Sequence, residues 1–159
     1  HIEFGTESFC DRTLEAYGKH FTFGDVVRAS RLALDEGVYY AHFLILGGYG
    51  DTRENVRETI ENSRRMEYTV MFPYAGMRIY PHTRLAELAA KEGAIGRDDD
   101  LMAPSYYISR DFDLEEVRRA ALATGKAWVF PDDPQSALAD TLRLKRNKKG
   151  PLWEYLRKP

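Results

Sequence analysis

The distribution of hydrophobic and polar positions along the chain predicts short strands that alternate with helices. Three segments are apolar, β-branched or aromatic and run into a turn signal, as is typical of buried strands. They are IEFG (residues 2–5), YYAHFLIL (39–46) and YTVMFP (68–73). Strands separated by helices of ordinary length predict right-handed βα units and a parallel sheet. The functional loops of such a sheet lie at the carboxyl ends of its strands.

Helical periodicity fills the connections between these strands. Two helices are expected between the first and second strands, and each has a hydroxyl at its start with an acid three residues later. Ser8 with Asp11 is the predicted cap of the first helix, and Thr22 with Asp25 that of the second.

A third helix is predicted over RENVRETIENSRRM (53–66), with Asp51 as its cap. Its apolar stripe, at helical spacing, consists of Val56, Ile60, Ser63 and Met66. A fourth helix is predicted within HTRLAELAAKEG (82–93), after the third strand. The first 93 residues therefore predict three consecutive βα units.

The pattern changes after residue 93, and we interpret residues 94–159 as a mainly helical extension. A turn-rich acidic stretch and the aromatic segment APSYYIS come first. Two helices and a short strand follow, predicted over DLEEVRRAALAT (113–124), AWVF (127–130) and PQSALADTLRLKR (134–146). No motif in this extension is specific enough to assign chemistry.

Composition narrows the class of protein. A chain of 159 residues with 43% hydrophobic residues suits one globular domain. It has no long apolar run and no basic-then-apolar start of the signal-peptide kind, so we expect a cytoplasmic protein that does not enter a membrane. One cysteine, Cys10, allows neither a disulfide framework nor a cluster that needs three thiolates.

Charge is distributed unevenly. The formal net charge is −2, yet the last twenty residues carry seven basic side chains and two acidic ones. We interpret this basic tail as a solvated helix end and do not expect a nucleic-acid partner, because no basic and aromatic groove pattern accompanies it.

The stretch FLILGGYGDT (43–52) ends the second strand in closely spaced glycines. Gly47, Gly48 and Gly50 permit positive φ and a close approach to the backbone, as in a phosphate cradle. However, the spacing is neither that of a P-loop nor G-x-G-x-x-G, and the carboxylate of Asp51 would occupy the anion position itself. Two interpretations remain: a pocket for a neutral or cationic group, and a tight turn into a helix.

Other candidates for chemistry stand alone. Glu7 follows the first strand, where its carboxylate could accept hydrogen bonds from hydroxyls or an ammonium group. The four histidines lack metal-binding spacing, so we expect structural or solvated roles for them. Cys10 is expected to be a small buried residue. The residues alone therefore predict no complete catalytic constellation.

Taken together, the strand ends resemble the second half of the radical S-adenosylmethionine core. EFGTES resembles the G-x-E/Q-S end of the fourth strand of that superfamily, and YGKHFTFGDVVRASRLALDEGV is similar to the passage that follows. FLILGGYGDTRENVRETI and FPYAGMRIY resemble the fifth and sixth strand ends, with Tyr49, Asp51, Ala75 and Met77 as departures. The resemblance covers residues 2–93 and implies units 4–6 of a six-unit partial barrel of the TIM type. The segment KKGPLWEYL is similar to the C-terminal region of the cobalamin-binding branch.

The resemblance also implies cofactors and roles. In the parent protein it implies S-adenosylmethionine and a 4Fe-4S cluster, and in the cobalamin-binding branch cobalamin as well. Glu7 would contact the ribose or amino-acid part, Ile45 and the Gly47 region would line the adenine pocket, and backbone from Phe72 to Tyr74 would meet the adenine edge. The cofactor-binding residues implied in this way are Gly5, Glu7, Ser8, Ile45, Gly47, Phe72, Pro73 and Tyr74.

The cysteine motif C-x-x-x-C-x-x-C of the superfamily is absent from the chain. We therefore expect a C-terminal part of a radical enzyme that is inert alone, because no cluster can supply the electron. Its partner would be the missing N-terminal half of the barrel, or a second copy pairing through the first strand. Two alternatives are a free-standing ligand-binding α/β domain that uses the loop 47–52, and a non-catalytic interaction module.

Overall fold

A computed structural model describes residues 1–96, 99–131 and 150–159 and confirms the predicted parallel α/β fold. The strands are β1 (Ile2–Glu7), β2 (Tyr40–Leu46), β3 (Val70–Ala75), β4 (Met77–Ile79), β5 (Ser105–Tyr107) and β6 (Ala127–Trp128). The main sheet is parallel in the order β1-β2-β3-β6, and β4 pairs with β5 antiparallel. Both β5 and β6 come from the predicted extension, so that part of the chain contributes strands as well as helix.

The described residues form five α-helices. They are α1 (Asp11–Ala16), α2 (Phe23–Asp35), α3 (Arg53–Asn62), α4 (Arg84–Lys91) and α5 (Leu114–Ala123), and short 3₁₀ turns follow at Ser63–Arg65 and Leu152–Tyr155. Buried side chains of α2, α3 and α5 meet Leu44, Leu46 and Met71 of the sheet in one core. All four residues of the predicted stripe are buried, but the helix is shorter than predicted: α3 ends at Asn62, and Ser63 and Met66 lie in and just after the 3₁₀ turn.

Of the three predicted helix caps, one is confirmed and two are wrong. Thr22 and Asp25 form the expected reciprocal capping box of α2. Ser8 as a cap is wrong: Cys10 occupies the N-cap of α1 without a side-chain bond. Asp51 as a cap is also wrong, because Thr52 caps α3 one residue later by accepting from the backbone N–H of Asn55.

Residues 150–159, here called the C-terminal strap, cross the amino ends of the strands. The backbone N–H of Tyr68 donates to the carbonyl of Lys158 over 2.7 Å. The Arg157 guanidinium lies 3.6 Å from the ring centroid of Tyr39, so it is not simply solvated. The predicted helix over 134–146 and most of the basic tail lie outside the described residues.

The length of the helices shows whether one of them could span a bilayer. In the part of the chain that the structure describes, the longest helix is α2 with 13 residues, and none has the length and apolar character that a bilayer crossing requires.

Candidate functional site

Side chains of β2 and β3 that point away from the helices form a second surface of the sheet. Neighbouring residues of a strand face opposite sides, and Leu44, Leu46 and Met71 belong to the helix-covered core. The residues between them therefore lie on the other side, and they are partly or largely exposed. This surface, called the open face, consists of Phe43, Ile45, Phe72 and Tyr74.

The aromatic rings of the open face are stacked. Phe43 lies beside Phe72 in the strand register, with ring centroids 5.1 Å apart and planes 21° apart. Phe43 and Tyr74 are 6.2 Å apart at 15°, and Ile45 lies beside Tyr74. Tyr74 keeps 41% of its surface exposed. The result is a flat apolar patch on which a planar ring can stack.

Three of these four residues were implied by the family resemblance as cofactor-binding residues. Ile45, Phe72 and Tyr74 were predicted, and the structure brings them onto one surface. Phe43 was missed, although its position two residues before Ile45 in the same strand is a signal for the same face.

Pro73 lies on the opposite side from Phe72 and Tyr74, where it is buried beside Leu44. A proline is tolerated here because β6 pairs with β3 only at Val70 and Met71, before the proline is reached. The side chain of Pro73 is therefore not part of the open face.

Glu7 is the last residue of β1 and has a left-handed backbone, with φ at 68°. The pairing of β1 with β2 shifts register between Phe4 and Glu7, which turns the strand end. The Lys19 ammonium donates to Oε1 of Glu7 over 2.6 Å in a half-buried ion pair. Lys19, which sequence reasoning missed, thus holds the carboxylate at the rim. A non-glycine residue in this backbone region is a feature that functional sites often retain.

Gly5 and Ser8 have different surroundings. No atom lies within 4 Å of the position that a side-chain carbon on Gly5 would take, so the space beside β1 is open there. Ser8 is buried, and its hydroxyl bonds Thr59 over 2.8 Å and accepts from the backbone N–H of Cys10. A ligand contact from this hydroxyl would have to replace bonds that tie β1 to α3.

Protein side chains fill the space that the glycines leave. A side-chain carbon on Gly47, whose φ is 74°, would lie 2.4 Å from the ring of Phe112. One on Gly48 would lie 2.4 Å from the hydroxyl of Tyr17. These glycines are therefore explained by close packing of the protein on itself.

Asp51 closes the loop from inside. Its Oδ2 accepts the backbone N–H of Gly47 over 2.9 Å, and its Oδ1 accepts the hydroxyl of Thr13 over 2.8 Å. Burial raises the pKa of Asp51 above its ordinary value. The prediction that this carboxylate takes the anion position of the loop is confirmed.

His42 is structural, as predicted. Ser30 donates its hydroxyl to the carbonyl of Val26, so it accepts from Nε2–H of His42 over 3.1 Å. Nδ1 of His42 then accepts from the Thr6 hydroxyl over 2.7 Å. Burial lowers the pKa of His42 to about 3, which keeps the ring neutral.

The residues of this chain do not fit an iron-sulfur cluster. Cys10 is fully buried, and it is the single cysteine of the sequence. Among the described residues, no group of three or more histidine, cysteine or acidic side chains is placed to hold a metal. Cluster chemistry therefore has no ligands here.

Comparisons with known proteins show which of them share the fold of this chain. No protein-family model matches the chain. An uncharacterized methyltransferase of Pyrococcus horikoshii is 30% identical over 86 residues, which cover 51% of this chain and 19% of that protein.

Two solved structures share the fold. One is the archaeal Elp3 of Methanocaldococcus infernus with an N-terminal deletion, at a TM-score of 0.53 and 17% identity over 82% of this chain and 28% of that one. The other is the radical S-adenosylmethionine methyltransferase TsrM of Kitasatospora setae with tryptophan substrate and an S-adenosylmethionine analogue bound. Its TM-score is 0.57 at 19% identity, over 84% of this chain and 32% of that one.

The chain thus spans about a fifth of the curated relative and about a third of each solved structure. The motif resemblance and the structural match agree, although they rest on different observations. The fold that the resemblance to the radical S-adenosylmethionine superfamily implies is confirmed, since this chain has the architecture of a part of TsrM and of Elp3.

Proposed function

We propose that this chain forms one wall of the S-adenosylmethionine pocket of a radical enzyme. The observation that carries the proposal is the open face, where stacked aromatic rings stand at the same end of the sheet as an anchored carboxylate. An adenosyl group offers a planar ring and hydroxyls, which suit a stacking surface and a carboxylate respectively.

In this proposal each residue has a binding role. Ile45 and the ring of Tyr74 hold the adenine, with the backbone from Phe72 to Tyr74 at its edge. Glu7 accepts hydrogen bonds from ribose hydroxyls or the ammonium of the methionine part. Gly5 leaves room beside the strand, and Gly47 shapes the turn after β2, since its backbone N–H bonds Asp51 and its carbonyl accepts from Ser109.

S-adenosylmethionine, when bound in such an enzyme, supplies a sulfonium whose cleavage begins radical chemistry. The cluster that drives the cleavage needs ligands from outside this chain, so we propose that the chain is inert alone. The relative from Pyrococcus horikoshii and TsrM are both named as methyltransferases, which supports methyl transfer as the reaction of the parent protein. No described residue bears on cobalamin, which stays a prediction.

The remaining wall of the pocket would come from a strand added to β1. In the described residues β1 pairs with β2 alone, so its other edge carries free backbone groups. We propose that the N-terminal half of a barrel occupies this edge in the parent protein.

The alternative of a free-standing domain that binds a ligand in the loop 47–52 has less support. Asp51, Phe112 and Tyr17 already occupy the space inside and beside that loop.

Titration of the ¹⁵N-labelled chain with S-adenosylmethionine tests the proposal. We expect saturable amide shifts in residues 43–47 and 72–75 and near Glu7. Tyr74→Ala should weaken binding roughly tenfold, because stacking of a base on an aromatic ring contributes about 1–3 kcal/mol. Glu7→Gln should weaken it as well.

Tyr106→Ala is the matched control, because Tyr106 is a half-exposed tyrosine of β5 outside the open face. It should bind like the original chain. Shifts that avoid the open face, or equal losses in the two tyrosine variants, would refute the proposal.

A further inference from the structure

A cavity of about 360 Å³ opens beside the loop that follows β2, within the size range of about 300–1,000 Å³ that is common for small-molecule sites. We call it the rim cavity. It lies between the end of α1, the glycine loop, β4 and α4. The side chains that shape it are Tyr17, Tyr49, Met77, Arg84, Leu85 and Leu88.

The walls of the rim cavity are mostly apolar, and a buried cluster supports them from behind. Tyr49 packs edge-on against Tyr107, with ring centroids 5.5 Å apart. Tyr49 and Leu85 both rest on the buried cluster of the β4–β5 pair and α4, to which Ile79 belongs. The cavity therefore has a fixed apolar wall that suits an aromatic or aliphatic body.

Arg84 supplies the charge at the cavity. Its side chain is exposed, and it forms no ion pair with any other residue that the structure describes. No acidic side chain is found among the described residues that line the cavity. As the first residue of α4, Arg84 stands at the positive end of the helix dipole, so its charge does not stabilise the helix.

We infer that the rim cavity binds a small amphipathic carboxylate. The apolar body lies between the tyrosine rings and the leucines of α4, and the carboxylate pairs with the Arg84 guanidinium. This site goes beyond the proposed adenosyl pocket, because it uses none of the side chains of the open face and needs no S-adenosylmethionine.

Two probes of equal shape and opposite charge test this site. The full ¹⁵N-labelled chain is titrated with 4-phenylbutyrate and, separately, with 4-phenylbutylamine. We expect saturable shifts near Tyr17, Tyr49 and residues 84–88 with the carboxylate, and much weaker ones with the amine.

Substitutions of Arg84 then assign the charge. Arg84→Gln should weaken binding of phenylbutyrate roughly tenfold, since a charge-assisted bond is lost. Arg84→Glu should reverse the preference, so that the amine binds better than the carboxylate. Arg78→Gln is the control, because Arg78 is exposed on β4 and stacks over Tyr80 outside the cavity. It should leave the affinity unchanged.

Equal affinity for the two probes, an unchanged affinity in Arg84→Gln, or no saturable shift at the cavity would overturn the inference. Its outcome is separate from that of the adenosyl pocket, because phenylbutyrate reports on residues 84–88 and S-adenosylmethionine on residues 72–75. Binding of phenylbutyrate without binding of S-adenosylmethionine would leave this site standing and refute the proposed function.

Discussion

At the scale of single residues, the glycine loop after β2 depends on neighbours that are distant in the chain. Phe112 and Tyr17 press against Gly47 and Gly48, and Asp51 binds the loop from within. The same loop could have served as a ligand cradle by its local sequence. Only the packing of the folded chain shows that its space is already taken.

Gly47→Ala should destabilise the protein through two separate terms. A left-handed φ costs alanine about 1–2 kcal/mol, and overpacking against Phe112 adds about 1–3 kcal/mol. Gly93→Ala is the matched control, because Gly93 has a φ of 75° and no atom within 4 Å of the added carbon. Urea unfolding should therefore show a larger loss for Gly47→Ala. In a Phe112→Ala background, the difference in stability loss between the two glycine variants should become smaller. Equal losses in the two variants would contradict the packing argument.

His42 should make the stability depend on pH. The unfolded chain protonates this ring below about pH 6.5, whereas the folded chain resists protonation until about pH 3. The contribution of His42 is therefore complete above pH 6.5 and is lost progressively as the pH falls towards 3. At pH 5 this loss should be about 2 kcal/mol, from 1.4 kcal/mol per pKa unit.

The control for this prediction is the variant His42→Gln, whose glutamine side chain does not titrate. Between pH 7 and pH 5, the original chain should lose about 2 kcal/mol more in its free energy of unfolding than the variant does. Identical pH profiles for the two proteins would show that the ring is protonated without cost and that the prediction is wrong.

At the scale of elements, the sequence predicted a helix start correctly where the capping side chain bonds a residue close to it in the chain. Thr22 and Asp25 bond each other across three residues, so the pattern was visible in the sequence. Ser8 and Asp51 are capping types by composition, yet Thr59 and Gly47 engage them instead. Such a side chain could cap its own helix or bond another group, and it bonds whichever group the tertiary structure brings within hydrogen-bond distance.

The C-terminal strap should protect the amino ends of the sheet. In a chain that ends at residue 149, the Tyr68 amide loses its acceptor on Lys158. Hydrogen exchange at Tyr68 should then become faster by roughly tenfold or more, because that amide would be open to water. Amides of α4, which lies away from the strap, serve as the internal reference. Unchanged exchange at Tyr68 would mean that the strap does not stabilise this end.

At the scale of the whole molecule, the main sheet has one edge that no described element covers. Ile2 is 41% exposed on β1, and its backbone N–H points inward to Tyr39. Because backbone groups alternate along a strand, the N–H of Glu3 points outward. This geometry is what a partner strand would pair with.

The isolated chain should therefore self-associate through β1, and light scattering after size exclusion should show a dimer. Glu3→Pro should shift it to a monomer, since proline removes the outward donor and leaves the ladder to β2 intact. Glu3→Thr keeps the donor and should remain a dimer. A monomeric original chain at high concentration would count against an edge that awaits a partner.

The sequence by itself determined the strands β1 to β3 with the helices between them, the parallel main sheet and the superfamily resemblance, whereas the antiparallel pair of β4 and β5 was not predicted. These features follow from periodicity and short motifs, which are local and can be recognised without knowledge of contacts between distant residues. The family resemblance also implied Ile45, Phe72 and Tyr74 as binding residues, and the structure brings these three side chains onto one surface. The tertiary structure alone decided that Lys19 anchors Glu7, that Phe112 and Tyr17 fill the glycine loop, and that the strap crosses the sheet. Each of these contacts joins residues far apart in the chain, and no local pattern specifies such a pairing.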